Sequence, residues 1–495
     1  MGESEGALQR LAGWIDSRLG LSYPLLRPVP RYALNPFYWL GALAVVAFVI
    51  QGVTGMIMML YYVPSPTQAY ASTLYIFQSV YNGRFLETIH LYTAYAMIML
   101  AFMHMMRGYF VSVHKKPREV MWVVGMLMGF VTLGFGFTGY LLPWTVVSKS
   151  ATDVGVGMVS ALPQPVSSLL TFLIVGGGGD SAEILRFFDL HVVILPAVLL
   201  ILLVVKMYML ESHGVADPTG GKPAEPKPRT SPIFPDVTMY LFELSLLFGA
   251  GMLLISAIFP LNLPPEYSAA AASQYVPQPD WYFLWIYQVL KMSFFEANGP
   301  LKQFGLPIAL TLITLIFVVL VLLPFIDRGR ERRVSRRPFY TTLGLLLVGE
   351  LAVLSYWGLV TPGQTIPAEQ AALVVGGTAL LIVAGSALIY GAMYRRAKGR
   401  LTTAPQNEIP HSELRSGLAF TGLVALGAFS IGMLVNGAVG VAIGDYSFGS
   451  LATVAGSTAL LALDLVGSVF LVYRLDLRTG TVKRRVKALE LGWRE

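Results

Sequence analysis

Three histidines stand on apolar stretches at spacings that suit metal chemistry. His90 and His104 are fourteen residues apart within one stretch, 89–112, and His191 opens another, 190–211. At about 100° per residue, a step of fourteen returns to within about 40° of the same helix face. At about 1.5 Å per residue it stacks the two rings about 21 Å apart along the axis. That separation leaves room for two cofactors, one near each surface of a bilayer. Neutral imidazole is a common axial ligand of haem iron, so two haems are the chemistry these residues suit. The stretch that begins at His191 should supply the opposite ligands. Fourteen or fifteen residues on stand Val205 and Lys206. The step of fifteen lies about 60° off the face, which a long side chain tolerates. Lys206 is otherwise an anomaly in "HVVILPAVLLILLVVKMYMLESHG", because a charge at the bilayer centre costs about 2.5–3.5 kcal/mol.

Glycines repeat the spacing. Gly41 and Gly55 on 37–62, and Gly125 and Gly139 on 120–141, are also fourteen apart. A flat macrocycle between helices needs backbone close by, and glycine leaves that space. Taken singly, a membrane histidine is usually a packed or hydrogen-bonded residue, and small residues usually mark helix–helix contacts. The matched spacings on three spans point instead to haem.

The elements that must position these residues are membrane helices. The 495-residue chain is 55% hydrophobic and only 13% charged, with mean hydropathy +0.63, whereas soluble domains carry about 25% charged residues. Ten apolar stretches reach spanning length: 37–62, 89–112, 120–141, 190–211, 237–260, 303–326, 338–360, 369–393, 415–440 and 450–473. The expected fold class is therefore all-α and polytopic, about ten transmembrane helices. The segment before them is mixed polar without an apolar signal core, so no cleaved signal peptide is expected. Lys and Arg gather in "HKKPRE", "GGKPAEPKPR", "DRGRERRVSRR", "YRRAKGR" and "VKRRVK", all on one face if the N-terminus is there too. The positive-inside rule then places both termini in the cytoplasm. Basic residues confined to such short loops speak against nucleic-acid binding. The loops 142–189 and 261–302, on the other face, carry few basic residues and are expected to hold short surface helices. With no cysteine, the chain has no disulfide, no cysteine-ligated iron–sulfur cluster and no thioether-attached haem.

The segments "QGVTGMIMMLYYVPSP", "HKKPREVMWVVG" and "GFTGYLLPW" resemble the first three spans of cytochrome b of the bc-type complexes, most of all the shorter photosynthetic form. "LRFFDLHVVILP" resembles the start of its fourth span, and "VPQPDWYFLWIYQVLK" its quinol-site segment. "LPFIDRGRERRVSRRPFYTTLGLL" resembles the partner that photosynthetic complexes make as a separate subunit, here fused in one chain. The likeness covers roughly residues 30 to 360. It implies a four-helix di-haem bundle over 37–214, joined by a linker over 215–235 to a three-helix domain over 236–362. Three additional helices (363–474) and a basic tail (475–495) would follow the cytoplasmic segment 1–36 and these domains. His90 and His191 would hold the outer haem; His104 and position 206 would hold the inner one. Arg107 and Arg186 match arginines that pair with haem propionates, which suits carboxylates that cannot stay unpaired in lipid. An outer quinol site would lie between the loop after "GYLLPW", with "ATDVGVGMVSALP" as its lining helix, and Pro279-Asp280-Trp281-Tyr282. Asp280 would accept the quinol proton, Tyr282 would hydrogen-bond beside it, and Trp281 would pack.

The resemblance further implies a plasma-membrane quinol oxidoreductase with b-type or a-type haems and quinone or quinol as substrate. Electrons would divide between a Rieske iron–sulfur partner and the two haems, with proton translocation. A c-type cytochrome or another acceptor, terminal oxidase subunits and a second copy forming a dimer are the further partners implied. The chain departs from the pattern at several positions. Glu87 stands where an arginine is usual, with Arg84 three residues back as its substitute, and Glu211, near His213, replaces an inner-site His or Arg. Asp464 lies in the last span. Position 206 is normally histidine. Lys206 either ligates the inner haem as a neutral amine, snorkels to the cytoplasmic interface, or pairs with a propionate or quinone. The rival classes are a transporter, which ten spans fit loosely, a membrane anchor for another enzyme, and a quinol oxidase subunit without an inner quinone site.

Overall fold

The computed structural model describes residues 28–400, apart from 31–32, 163, 177–178, 216–229, 297–300, 302–303 and 330. In chain order the helices are α1 (Leu40–Met59), α2 (Ala69–Ser79), α3 (Gly83–Phe110), α4 (Glu119–Leu141), α5 (Val146–Ser160), α6 (Val166–Ile174) and α7 (Asp180–Asp189). They continue with α8 (Leu195–His213), α9 (Thr238–Ile258), α10 (Ala269–Ala272), α11 (Leu284–Leu290), α12 (Gly305–Ile326), α13 (Pro338–Val360) and α14 (Ala368–Arg400). A two-residue antiparallel pair, Val29–Pro30 with Thr230–Ser231, ties the start of α1 to that of α9.

Among the described residues, eight helices are long and apolar enough to cross a membrane. They answer to the first eight expected spans; the ninth and tenth (415–440 and 450–473), with Asp464, lie outside the described residues. Two boundaries differ from the sequence reading. α3 begins at Gly83, six residues before the expected start, because Glu87 and Thr88 sit within the helix; Thr88 satisfies its hydroxyl on the Arg84 carbonyl. The fourth span begins at Asp180, because α7 runs on into α8 through a π-helical turn at Leu190–Ile194. Pro196 explains that turn. It has no amide to donate to the carbonyl four residues back, and the helix widens so that the Leu195 amide bonds to Leu190.

The exterior of the spans is apolar, as lipid demands: Leu247 is 72% exposed and Leu381 76%. α1, α3, α4 and α8 form a bundle whose centre packs Ala47, Met97 and Leu199. The long loops after α4 and α9 hold the expected short helices, α5, α6, α10 and α11. A capping box between Thr145 and Ser148 fixes the start of α5.

Two of the basic loops, those after α3 and α12, meet at one end of the bundle. Asp327, just past α12 and 2% exposed, accepts from His114 Nε2 (3.0 Å), pairs with Lys115 Nζ (2.9 Å) and is bonded by Arg337. Lys115 also donates to the carbonyls of Gly329 and Glu331, each at 2.7 Å. Arg118 reaches the His213 and Gly214 carbonyls at the end of α8, 3.1 and 3.3 Å away, where a cation suits the helix C-terminus. Burial opposes charge on Asp327, but bonds from His114 and Lys115 and the charge of Arg337 outweigh it and hold the carboxyl below its usual range. Its contribution is therefore fully present above the ordinary unfolded value of about pH 4 and is lost as pH falls through the lower folded value. Replacing Asp327 with Ala strands buried cations and should cost about 3–5 kcal/mol, read as a lower unfolding midpoint in detergent; an unchanged midpoint would show that the cluster does not hold the two halves together.

Candidate functional site

Two tiers of nitrogen-bearing side chains lie in the four-helix bundle. In the tier towards the face opposite the basic loops, the His90 and His191 rings have centroids 6.3 Å apart and planes 63° apart. Two imidazoles on opposite sides of one metal, with bonds of about 2 Å and the ring radii added, would have centroids about 6 Å apart. The pair fits a shared iron.

Threonines stand beside both rings. Thr54 Oγ1 donates to the Ile50 carbonyl (2.7 Å) and lies 2.8 Å from His90 Nδ1. Thr138 Oγ1 donates to the Gly134 carbonyl (2.8 Å) and lies 3.2 Å from His191 Nδ1. Each hydroxyl has one proton, which its own helix can take; His90 Nδ1–H can then donate to Thr54, leaving Nε2 its lone pair, while His191 is held by Thr138 together with the Phe135 backbone. Sequence reasoning missed both threonines. Their signal is the Thr-Gly pair that occurs at 54–55 and again at 138–139.

The tier towards the basic face has His104 on α3 and Lys206 on α8. Both line one cavity of about 1580 Å³ with Gly41, Gly125 and Arg107. His104 Nδ1 is buried and has no hydrogen-bond partner among the described residues. The four expected glycines face the four expected ligands one to one. A Cβ on Gly41 would lie 3.1 Å from the His104 ring, one on Gly55 3.4 Å from His90, and one on Gly125 3.0 Å from Lys206 Nζ; one on Gly139 would collide with His191. The donor set, the orphaned nitrogen and the glycine cradle all fit two planar cofactors.

The arginines divide. Arg107 borders the lower cavity, with its guanidinium carbon 3.8 Å above the Tyr38 ring. Arg186 is exposed, its Nε packed against Gly176 in the turn after α6. Arg84, expected to replace an arginine near the first histidine, instead bonds the Leu261 carbonyl (2.6 Å) and Asn262 (2.7 Å). It holds the loop after α9.

A second cavity, of about 250 Å³, opens where α4, α5 and α12 meet the Pro279–Tyr282 segment. Asp280 and Tyr282 line it with Tyr140, Gly155 and Tyr287. Asp280 Oδ1 accepts from Tyr95 (2.7 Å) and Oδ2 from Tyr282 (3.3 Å). Burial raises the Asp280 carboxyl to about 6, against the opposing effect of the two tyrosine bonds. Burial and the Asp280 charge push the Tyr282 phenol well up, which keeps it protonated as a donor. Trp281 packs edge-on to Tyr95 and Tyr282, with centroids 6.3 and 5.5 Å away. Tyr95 is the residue that the sequence did not reveal. It lies on α3, 185 positions from its acid.

Fold and site together define an all-helical, multi-pass membrane protein of the electron-transport type. Residues 95–266 match the family described as "Cytochrome b(N-terminal)/b6/petB", and residues 274–376 match "Cytochrome b(C-terminal)/b6/petD". The chain is 34% identical to a cytochrome bc complex cytochrome b subunit of Chlorobaculum thiosulfatiphilum, over 70% of this chain and 80% of that one. It is 31% identical to a cytochrome b of Sulfolobus acidocaldarius, over 81% of this chain and 75% of that one. A solved structure described as "Hyperthermophilic respiratory Complex III" shares the fold, with TM-score 0.59 and 24% identity over 77% of this chain and 99% of that chain. The chain belongs to the cytochrome b family of bc complexes, with the N-terminal and C-terminal parts of that family in one polypeptide. Membership implies haem binding and an oxidoreductase role within a multi-subunit complex.

Gly139→Ala tests the cradle. The added methyl should displace the His191 ring and lower haem content or shift the spectrum of one haem, measured by pyridine haemochrome and low-temperature difference spectra. Full haem content with an unshifted spectrum would show that His191 is not held there for a cofactor.

Proposed function

We propose that this chain is the di-haem subunit of a membrane quinol:acceptor oxidoreductase. The observation that supports it best is the one-to-one facing of four candidate ligands by four glycines, in two tiers. His90 and His191 would hold one haem, and His104 and Lys206 the other. Haem iron held at these two pairs would supply one-electron transfer across the bilayer. Arg107 is placed to meet a propionate of the second haem. Arg186 would have to swing from its surface position to meet the first.

The 250 Å³ cavity is the quinol site of this reading, with Pro279 and Trp281 shaping its acid-bearing wall. Asp280, as carboxylate, accepts the proton of a quinol hydroxyl, and Tyr95 and Tyr282 hold it in position. The cavity faces away from the basic loops. If those loops are cytoplasmic, as in a plasma membrane with both termini inside, the proton leaves on the outer side. The chain has no cysteine, so an iron–sulfur acceptor of the Rieske type must come from a partner, followed by a c-type cytochrome or terminal oxidase subunits. A dimer with b-type haems, or a-type in their place, completes the proposal. Glu211 stands where an inner-site His or Arg is expected, and the His213 Nδ1 lies 2.9 Å from the Met209 carbonyl of its own helix. These two residues favour a complex whose inner quinone chemistry, if retained, uses other side chains.

Spectra and quinol-oxidation rates test the reading. A reduced-minus-oxidised spectrum of the purified chain should show two haems; a haem-free chain would favour a transporter. Lys206→Ala should then alter the spectrum of the haem near the basic face and spare the other, and an unchanged spectrum would remove Lys206 from the ligand set. Asp280→Asn should slow quinol oxidation by about 10²-fold or more without loss of haem. Because Asp280 must be ionised to accept a proton, the unmutated rate should fall as pH drops below about 6; an Asn variant with the same rate and pH profile would exclude the carboxyl.

A further inference from the structure

Glu350 is a carboxyl that neither tier nor the quinol cavity uses. It stands on α13, twelve residues from Pro338 and ten from Val360, so it lies about 15 Å or more from either end of the span. Both of its carboxylate oxygens are shielded, and neither has a hydrogen-bond partner among the described residues. Intramembrane carboxyls generally face a partner or a cavity. Glu350 lines the large cavity that begins at His104 and Lys206 and extends between α4, α11, α12 and α13.

At about 1580 Å³ that cavity exceeds an ordinary cofactor pocket of about 300–1,000 Å³. A haem between His104 and Lys206 would therefore leave the α11–α13 end open. The wall there is apolar and aromatic: Trp285 and Phe317 pack with centroids 6.0 Å apart, and Leu354 lies one turn beyond Glu350. A lipid chain would satisfy these walls and leave the carboxyl bare, whereas buried polar groups are normally hydrogen-bonded. A charged carboxylate there would stand unpaired in a low-dielectric medium. The neutral carboxyl offers one O–H donor and one acceptor. A flat, apolar ring with an oxygen on its edge matches both features.

We infer that the α11–α13 end of this cavity binds a quinone headgroup, with Glu350 hydrogen-bonded to a ring oxygen. The Glu350 O–H donates to a quinone carbonyl, or its carbonyl accepts from a quinol hydroxyl; no bond is broken and no electron moves. This position is separate from the 250 Å³ cavity at Asp280 and would hold quinone within the bilayer between the two surfaces. The inference rests on the quinol-oxidising reading above.

The test uses the complex as purified from membranes. Bound quinone per haem is measured by extraction, and a photoreactive azidoquinone is mapped by peptide mass spectrometry, for the unmutated chain, Glu350→Gln and Glu350→Leu. The expected result is label on α13 or α11, retained in Gln and lost at least tenfold in Leu, with one quinone fewer per chain in the Leu variant and an unchanged haem spectrum showing that the bundle is intact. Equal labelling and quinone content in Leu, or extraction of phospholipid alone from this cavity, would overturn the inference. If Leu loses its haems, Gln and a Leu354→Trp variant that fills the cavity decide: retained label in Trp overturns it, and lost label with normal haem supports it. Reduction of the haems by added quinol in the unmutated complex tests the earlier reading separately.

Discussion

Hydrocarbon offers no hydrogen-bond partner, and nearly every polar choice in this molecule follows from that constraint. The His90 and His191 rings meet hydroxyls whose proton a helical carbonyl can take. One side of each ring is thereby satisfied. Asp280 obeys the same constraint at the membrane edge, where two phenols share the work of solvating it. Among the described residues no hydroxyl bonds Lys206. It stands over the bare backbone of Gly125, so a ligated metal would itself be its partner.

Much of this was legible in the sequence. A 3.6-residue helix turns a spacing of fourteen into one face, so the histidines, the glycines and Lys206 could be read as a set. The Pro-Asp-Trp-Tyr run marked the acid. What could not be read depends on three-dimensional closure. Tyr95 reaches Asp280 across 185 positions, and no local pattern joins them. Arg186 stands at a position of the family pattern and Arg84 three residues back from one, but both side chains are long and exposed and settle on loop and turn backbone. Glu350 has no periodic signature; it is one polar residue in an apolar run, and only the cavity beside it gives it meaning.

The cluster around Asp327 shows how one polypeptide unites two parts that resemble separate subunits. His114 and Lys115 come from the haem-bundle half, and Asp327 and Arg337 from the other. Tyr109 bonding to the Tyr340 carbonyl and Trp122 to the Leu320 carbonyl extend that seam into the bilayer. The contacts of this seam are buried and charge-assisted, the kind that can join separate chains. The peptide connection adds effective concentration to an interface that already has its own specificity.

The π-helical turn at Leu190–Ile194 changes how the count along the fourth span should be read. On α4, Gly139 and Gly125 are fourteen apart, yet the residues they face on the other helix, His191 and Lys206, are fifteen apart. A π turn holds one residue more than an α turn in nearly the same rotation, so the extra residue is absorbed where it arises and the two ladders stay in step. The fourth span thus behaves as a helix with a one-residue insertion already healed, and Lys206 meets Gly125 in register as closely as a residue at 205 would in an unbroken α-helix.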